Sequence, residues 1–169
     1  MNLSDQKTID ADRYSVFAAL LDPEVLKVCV PGCQEMSGSA EQGFEATVVQ
    51  KVGPVKATFK GAVFLSNMAA PESLTISGEG KGGAAGFAKG GAQVRLEAQG
   101  DKTILHYEVD AKVGGKLAQL GSRIIDGFAK KMADQFFSNF QQALGGAEPV
   151  EAATDAPVKK GWFGRQKKV

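Results

Sequence analysis

Residues 78–98, GEGKGGAAGFAKGGAQVRLEA, decide the fold. Seven of the first fourteen are glycine, and Gly78, Gly80 and Gly83 spell G-x-G-x-x-G. A dinucleotide site requires that turn to open a helix whose N-terminal amides hold the pyrophosphate. Here Val94 and Leu96 alternate against Gln93, Arg95 and Glu97, the period of a half-buried strand. The missing helix argues against nucleotide binding. The stretch reads as a hairpin in which glycines relieve bulk, admit bulges and let a sheet bend.

Working outward, the neighbouring segments are also strand-like. Residues 3–9 form an opening strand, and six further runs follow at about 34–39, 43–52, 55–66, 72–80, 87–98 and 102–113. Gly53-Pro54 and Gly100-Asp101 are hairpin turns, so the sheet is antiparallel. Alternation assigns the faces. Phe44, Ala46 and Val48 share one side, as do Val55, Ala57, Phe59, Gly61 and Val63, and Leu105, Tyr107, Val109 and Ala111. His106, the only histidine, falls on the solvent side.

Two helical signals complete the pattern. Asp12 is a candidate N-cap for a helix carrying Val16, Phe17, Leu20 and Leu21, followed by a short turn through Leu26 and Val28 that stops at Pro31-Gly32. Beyond Gly114-Gly115, Leu117, Leu120, Ile124, Phe128, Met132, Phe136 and Phe140 recur every three or four residues. That stripe predicts one helix of nearly thirty residues, about 40 Å long. A long amphipathic helix after an antiparallel sheet gives a single α+β domain with the sheet curled around the helix.

Charge is unevenly distributed. Residues 1–144 carry fifteen basic and sixteen acidic side chains. GGAEPVEAATDAPV (145–158) has the composition of a flexible linker, with three acids. KKGWFGRQKKV (159–169) then places five basic residues, Lys159, Lys160, Arg165, Lys167 and Lys168, around the only tryptophan, Trp162, and Phe163. Aromatic rings favour the headgroup boundary, and each basic residue near an anionic leaflet contributes about 1 kcal/mol. The tail is therefore expected to attach reversibly to a membrane; a docking peptide or a solvated tail are the alternatives. The polar beginning, MNLSDQKTID, is unlike a secretory signal, and no apolar run approaches the roughly 20 residues of a spanning helix. Cys29 and Cys33, spaced C-x3-C without a nearby histidine, make a poor zinc site and read as reduced thiols. No G-x-S-x-G, H-E-x-x-H or Walker motif is present. No catalytic residue, metal or other cofactor is expected, and the body lacks the basic face of a nucleic-acid binder.

Four segments carry a family resemblance: DPEVLKVCVPGC (22–33), KVGPVKATFKG (51–61), ISGEGKGGAAGFAKGGAQVRLE (76–97) and VGGKLAQLGSRIIDGFAKKMADQFF (113–137). Together they resemble the G subunit of carbon monoxide dehydrogenase, the CoxG family, through essentially all of residues 1–144. The resemblance implies a helix-grip fold of the START-like (SRPBCC) superfamily, in which a seven-stranded sheet wraps a C-terminal helix around an apolar cavity. It also implies association with a molybdenum hydroxylase of the carbon monoxide dehydrogenase type, in membrane attachment or assembly. It assigns no catalytic residue, although cyclases and hydrolases occur in the wider superfamily.

The inward positions Ala46, Ala57, Gly61, Gly78, Gly80 and Ala92 are small, and a sheet so lined leaves volume beneath a helix. Either Phe128, Phe136, Phe137 and Phe140 fill that volume as an ordinary core, or it is a ligand cavity. With the resemblance, the expected lining is Phe59, Val63, Ile76, Tyr107, Leu120, Ile124 and Phe128. An apolar lining suits a hydrophobic, elongated ligand. Cavity, tail and implied client together suggest a quinone or another isoprenoid lipid. The expectation is a non-enzymatic cytoplasmic protein, peripheral on the inner face of the membrane; the alternative is a recruitment adaptor whose cavity is only a core.

Overall fold

A computed structural model describes residues 1–145; the linker and basic tail expected beyond Gly145 lie outside the described residues. The order is β1 (Asn2–Ile9), α1 (Arg13–Leu20), α2 (Pro23–Cys29), β2 (Cys33–Ser39), β3 (Gly43–Val52), β4 (Val55–Ala69), β5 (Ser73–Lys81), β6 (Phe87–Gln99), β7 (Lys102–Gly114) and α3 (Ser122–Ala143). The strands form one seven-stranded antiparallel sheet in the order β1-β7-β6-β5-β4-β3-β2. It is not closed: β1 and β2 are its two edges.

Local sequence explains the helix starts. The Asp12 carboxylate accepts from the Ser15 amide at 3.0 Å and from its hydroxyl at 2.9 Å, capping α1. Asp22 accepts from the Glu24 amide at 2.9 Å, and Pro23 occupies the first turn of α2, where its missing N–H costs nothing. The glycine-rich stretch is the expected hairpin, with a single 3-10 turn, Gly83–Ala85, between β5 and β6. Gly90 is required by close approach: a Cβ there would lie 2.2 Å from the Asp110 carbonyl oxygen.

The C-terminal helix differs from its predicted length. It has 22 residues, about 33 Å, rather than nearly thirty. Gly121, at φ +91°, separates it from a 3-10 turn, Gly115–Leu120. Leu117 and Leu120 extended the apparent stripe because a 3-10 turn repeats every three residues and satisfies the same spacing.

The main core cluster sits at one end of the sheet, and Phe44, Val52, Ala85 and Leu117 are buried outside it. Val16, Phe17 and Leu20 of α1 pack with Ile9, Leu74, Val94, Leu96, Leu105, Tyr107 and Phe140, all buried. Phe136, Phe137 and Phe140 make an aromatic cluster with ring centroids 5.1–6.4 Å apart.

Candidate ligand-binding hollow

The inner face of the sheet is built from cross-strand rows. Leu74, Val94 and Tyr107 form one, completely buried beneath the aromatic cluster. The next is Leu65, Ile76, Ala92, Val109 and Leu3, all half-buried. Beyond it, the central strands lose their side chains. Phe44, buried on β3, and Val63 are followed by Gly78, Gly90 and Ala111; in the next row Ala46 is followed by Gly61, Gly80, Ala88 and Val113.

No atom of the helix lies within 4 Å of where a Cβ on Gly61 or Gly80 would sit. A Cβ added at Gly80 would have only the Phe59 Cβ within 4 Å, at 4.0 Å, and one at Gly61 only the Glu79 carbonyl oxygen, at 3.4 Å. Phe59, Val63 and Phe128 remain half-buried although they face the interior or lie on the covering helix. Interiors normally fill to crystal-like density, so accessible side chains beneath a helix mark a hollow.

Of the seven residues expected to line it, Phe59, Val63 and Ile76 lie on the inner face around the small rows. Tyr107 stands at the boundary with the filled core, stacked on Phe137, and burial raises its phenol pKa. Phe128 lies on α3. Leu120 belongs to the 3-10 turn, and with Ile124 it approaches the β3–β4 turn: a Cβ on Gly53 would be 3.9 Å from Leu120 and 3.5 Å from Ile124. Ile124 is 42% exposed, at the rim rather than deep inside. The seven attachment residues of the tail lie outside the described residues.

The amphipathic stripe did not reveal one polar feature. Asp5 and Lys7 take inner-face positions on β1, an edge strand, and meet α3. Lys7 Nζ lies 2.7 Å from Asp134 and 3.7 Å from Asp5, and Lys130 Nζ lies 3.0 Å from Asp134 and 3.8 Å from Asp5. The hydrogen bond to Asp134 raises the Lys7 pKa, and the one from Lys7 lowers that of Asp134. Strict alternation on β1 was the available signal. These charges clasp the sheet edge to the helix.

The opposite face of the sheet is polar. An open groove of about 700 Å³ runs over it, and Lys27, Glu35, Glu45, Lys60, Glu79 and Lys81 line that groove. His106 sits outward, with Nε2 2.9 Å from Glu97. Among the described residues no group of three or more His, Cys, Asp or Glu is placed to hold a metal. Burial pushes the Cys29 thiol up to about 11, and Cys33 is also raised, chiefly by burial.

The family described as the G subunit of carbon monoxide dehydrogenase (CoxG) matches residues 6–145. The chain belongs to the CoxG family. Solved structures agree with the helix-grip architecture. A conserved protein from Geobacillus kaustophilus superposes with a TM-score of 0.80 at 25% identity, covering 86% of this chain and 95% of its own. A START superfamily protein from Mycobacterium smegmatis gives 0.64 at 14% identity, covering 85% and 97%. An uncharacterized protein from Rhizobium leguminosarum gives 0.63 at 14%, covering 86% and 94%. No curated protein matches. The fold is thus START-like, and the CoxG match covers the whole hollow. No described helix is long and apolar enough to cross a membrane.

Proposed function

We propose that this CoxG protein holds an elongated apolar molecule in the hollow and serves as a non-catalytic accessory to a molybdenum hydroxylase of the carbon monoxide dehydrogenase type. The observation that carries the ligand reading is the open space above Gly61 and Gly80. The lining supports the chemistry: Phe59, Val63, Ile76 and Val109 are hydrocarbon, and the sheet rows over the gap carry no charged side chain. A quinone or another isoprenoid lipid has matching length and apolarity. The family's name, the G subunit of carbon monoxide dehydrogenase, supports this client. The tail, with Trp162 and Phe163 among five basic residues, supports attachment to the membrane from which such a ligand would come. Organic extraction of protein purified from its native host, followed by mass spectrometry, tests the ligand; an extract free of isoprenoid lipid overturns it.

The adaptor reading has its own support in the aromatic cluster, which already fills the other half of the domain. On that reading the protein recruits the enzyme to the membrane with an empty hollow. The purified protein would then yield a lipid-free extract, while its loss would displace the enzyme from the membrane.

A further inference from the structure

The antiparallel register sorts charge between the two ends of the sheet. The β3–β4, β5–β6 and β7–α3 connections emerge at one end, since Val52 pairs with Val55, Lys81 with Phe87, and Phe87 with Gly114. Their segments 51–56, 81–89 and 112–123 contain seven basic residues and no acid, a basic end that the near-neutral count over residues 1–144 conceals, against the expectation that the body lacks one. At the other end every connection carries acid: Asp10 and Asp12 after β1, then Glu41, Glu72 and Asp101. Among the described residues none of the seven basic side chains has a carboxylate within 4 Å. Lys51 and Lys56 stand directly opposite each other, a pairing that repels unless an anion lies nearby, whereas Lys89 stands between Lys112 on β7 and Glu79 on β5.

The same end exposes apolar surface. Phe87 is 43% exposed, lying against Gly114, and Ile124 is 42% exposed beside the Gly53-Pro54 turn. The row Ala46–Gly61–Gly80–Ala88–Val113, floor of the hollow, runs just inside these loops.

We propose that this basic end of the folded domain docks on an anionic lipid bilayer, with Phe87 and Ile124 entering the headgroup boundary, so that the hollow is presented to the lipid. The surface is separate from the C-terminal tail, and its purpose rests on the apolar-ligand reading above. Basic residues supply attraction to the anionic leaflet and the two apolar side chains supply insertion.

Because Trp162 is the only tryptophan, a full-length Phe87→Trp variant in a Trp162→Phe background reports on this surface alone. Phosphatidylglycerol-containing vesicles should shift its emission to the blue, and brominated acyl chains should quench it; phosphatidylcholine vesicles should do neither. Unshifted emission on anionic vesicles overturns the proposal. So does a shift that appears only on adding the client enzyme, which would assign the surface to a protein. In a second variant, Lys51, Lys56, Lys116 and Arg123 are each replaced by Gln in the full chain. Partitioning onto anionic vesicles at low salt should weaken on the order of 100-fold, with the thermal transition unchanged. Equal partitioning overturns docking. A soluble short-chain quinone, titrated without vesicles, separates the two readings. Blue shift with no quinone binding sinks the ligand and leaves docking standing, and quinone binding without a shift does the reverse.

Discussion

Tyr107 of β7 and Phe137 of α3 stack with ring centroids 5.3 Å apart and planes 20° from parallel. The pair marks the edge of the main core: on one side Leu74, Val94, Leu96, Leu105 and Phe140 are buried, and on the other β5 and β6 present Gly78, Gly80, Ala88 and Gly90 on the inner face, while Phe44 of β3 stays buried. The helix is held where the aromatics are and spans open space where they are not.

That division predicts unequal responses to truncation along one helix. Phe140→Ala, at a fully buried position, should cost about 3–5 kcal/mol, while Phe128→Ala above the hollow should cost well under half as much. Urea denaturation of the two variants measures the contrast; equal losses would mean that the interior is filled throughout.

Glycines on the same face should differ sharply. Gly80→Leu enters open space and is expected to cost less than the about 1–3 kcal/mol typical of overpacking, while abolishing binding of a quinone or similar lipid. Ala57→Leu tests the neighbouring strand in the same way. Gly90→Ala forces a methyl to 2.2 Å from the Asp110 oxygen and should destabilise strongly. A Gly80→Leu variant that unfolds as readily as Gly90→Ala would argue for a packed interior.

Two carboxylates confer acid sensitivity. The Asp12 pKa is lowered, first by the Ser15 amide, and that of Asp134 is lowered first by the Lys7 hydrogen bond. Their stabilisation is present above the unfolded value of 3.8 and lost as pH falls through the lower folded value. Asp12→Ser retains a cap without a titrating group, so its stability relative to the native protein should improve below about pH 4. Thermal unfolding between about pH 2.5 and 7 follows this; a gap that stays constant with pH refutes it. Lys7 works at the opposite limit: its raised pKa makes its contribution present below 10.5 and lost as pH rises through the folded value.

Deleting residues 159–169 should weaken attachment to anionic vesicles while leaving the thermal transition unchanged, because residues 1–145 bury a core of their own, from Ile9 to Phe140. Replacing Trp162 and Phe163 by Ala should matter more at high salt than neutralising the tail lysines, since salt screens only charge. Flotation assays decide it, and equal binding by full-length and truncated protein removes the tail as an anchor.

The thiols should react unequally. Cys29 is buried, with its pKa pushed up to about 11, and Cys33 is half-buried, with its thiol 3.2 Å from the Glu35 carbonyl oxygen. A maleimide at neutral pH is expected to label Cys33 slowly and Cys29 only on unfolding; peptide mapping after timed labelling reads this, and faster labelling of Cys29 would contradict it.

By itself the sequence determined the strands and the facing of β3 to β7, because alternation is a two-residue property written locally in stretches such as Val55–Val63 and Leu105–Ala111. It also determined the hairpin at Gly78–Gly91, the Asp12 cap and the outward position of His106, each set by neighbours a few residues away. The tertiary structure alone decided where α3 begins, since the spacing of Leu117 and Leu120 fits either helix type and only Gly121 at φ +91° distinguishes them. It likewise decided that Asp5 and Lys7 clasp Asp134 and Lys130 across the sheet edge. The hollow belongs to the same class. A row of glycines shows that side chains are missing from the floor, but whether the helix above fills the gap depends on its height over the sheet. Phe136, Phe137 and Phe140 pack the helix against Tyr107 and the core at the far end.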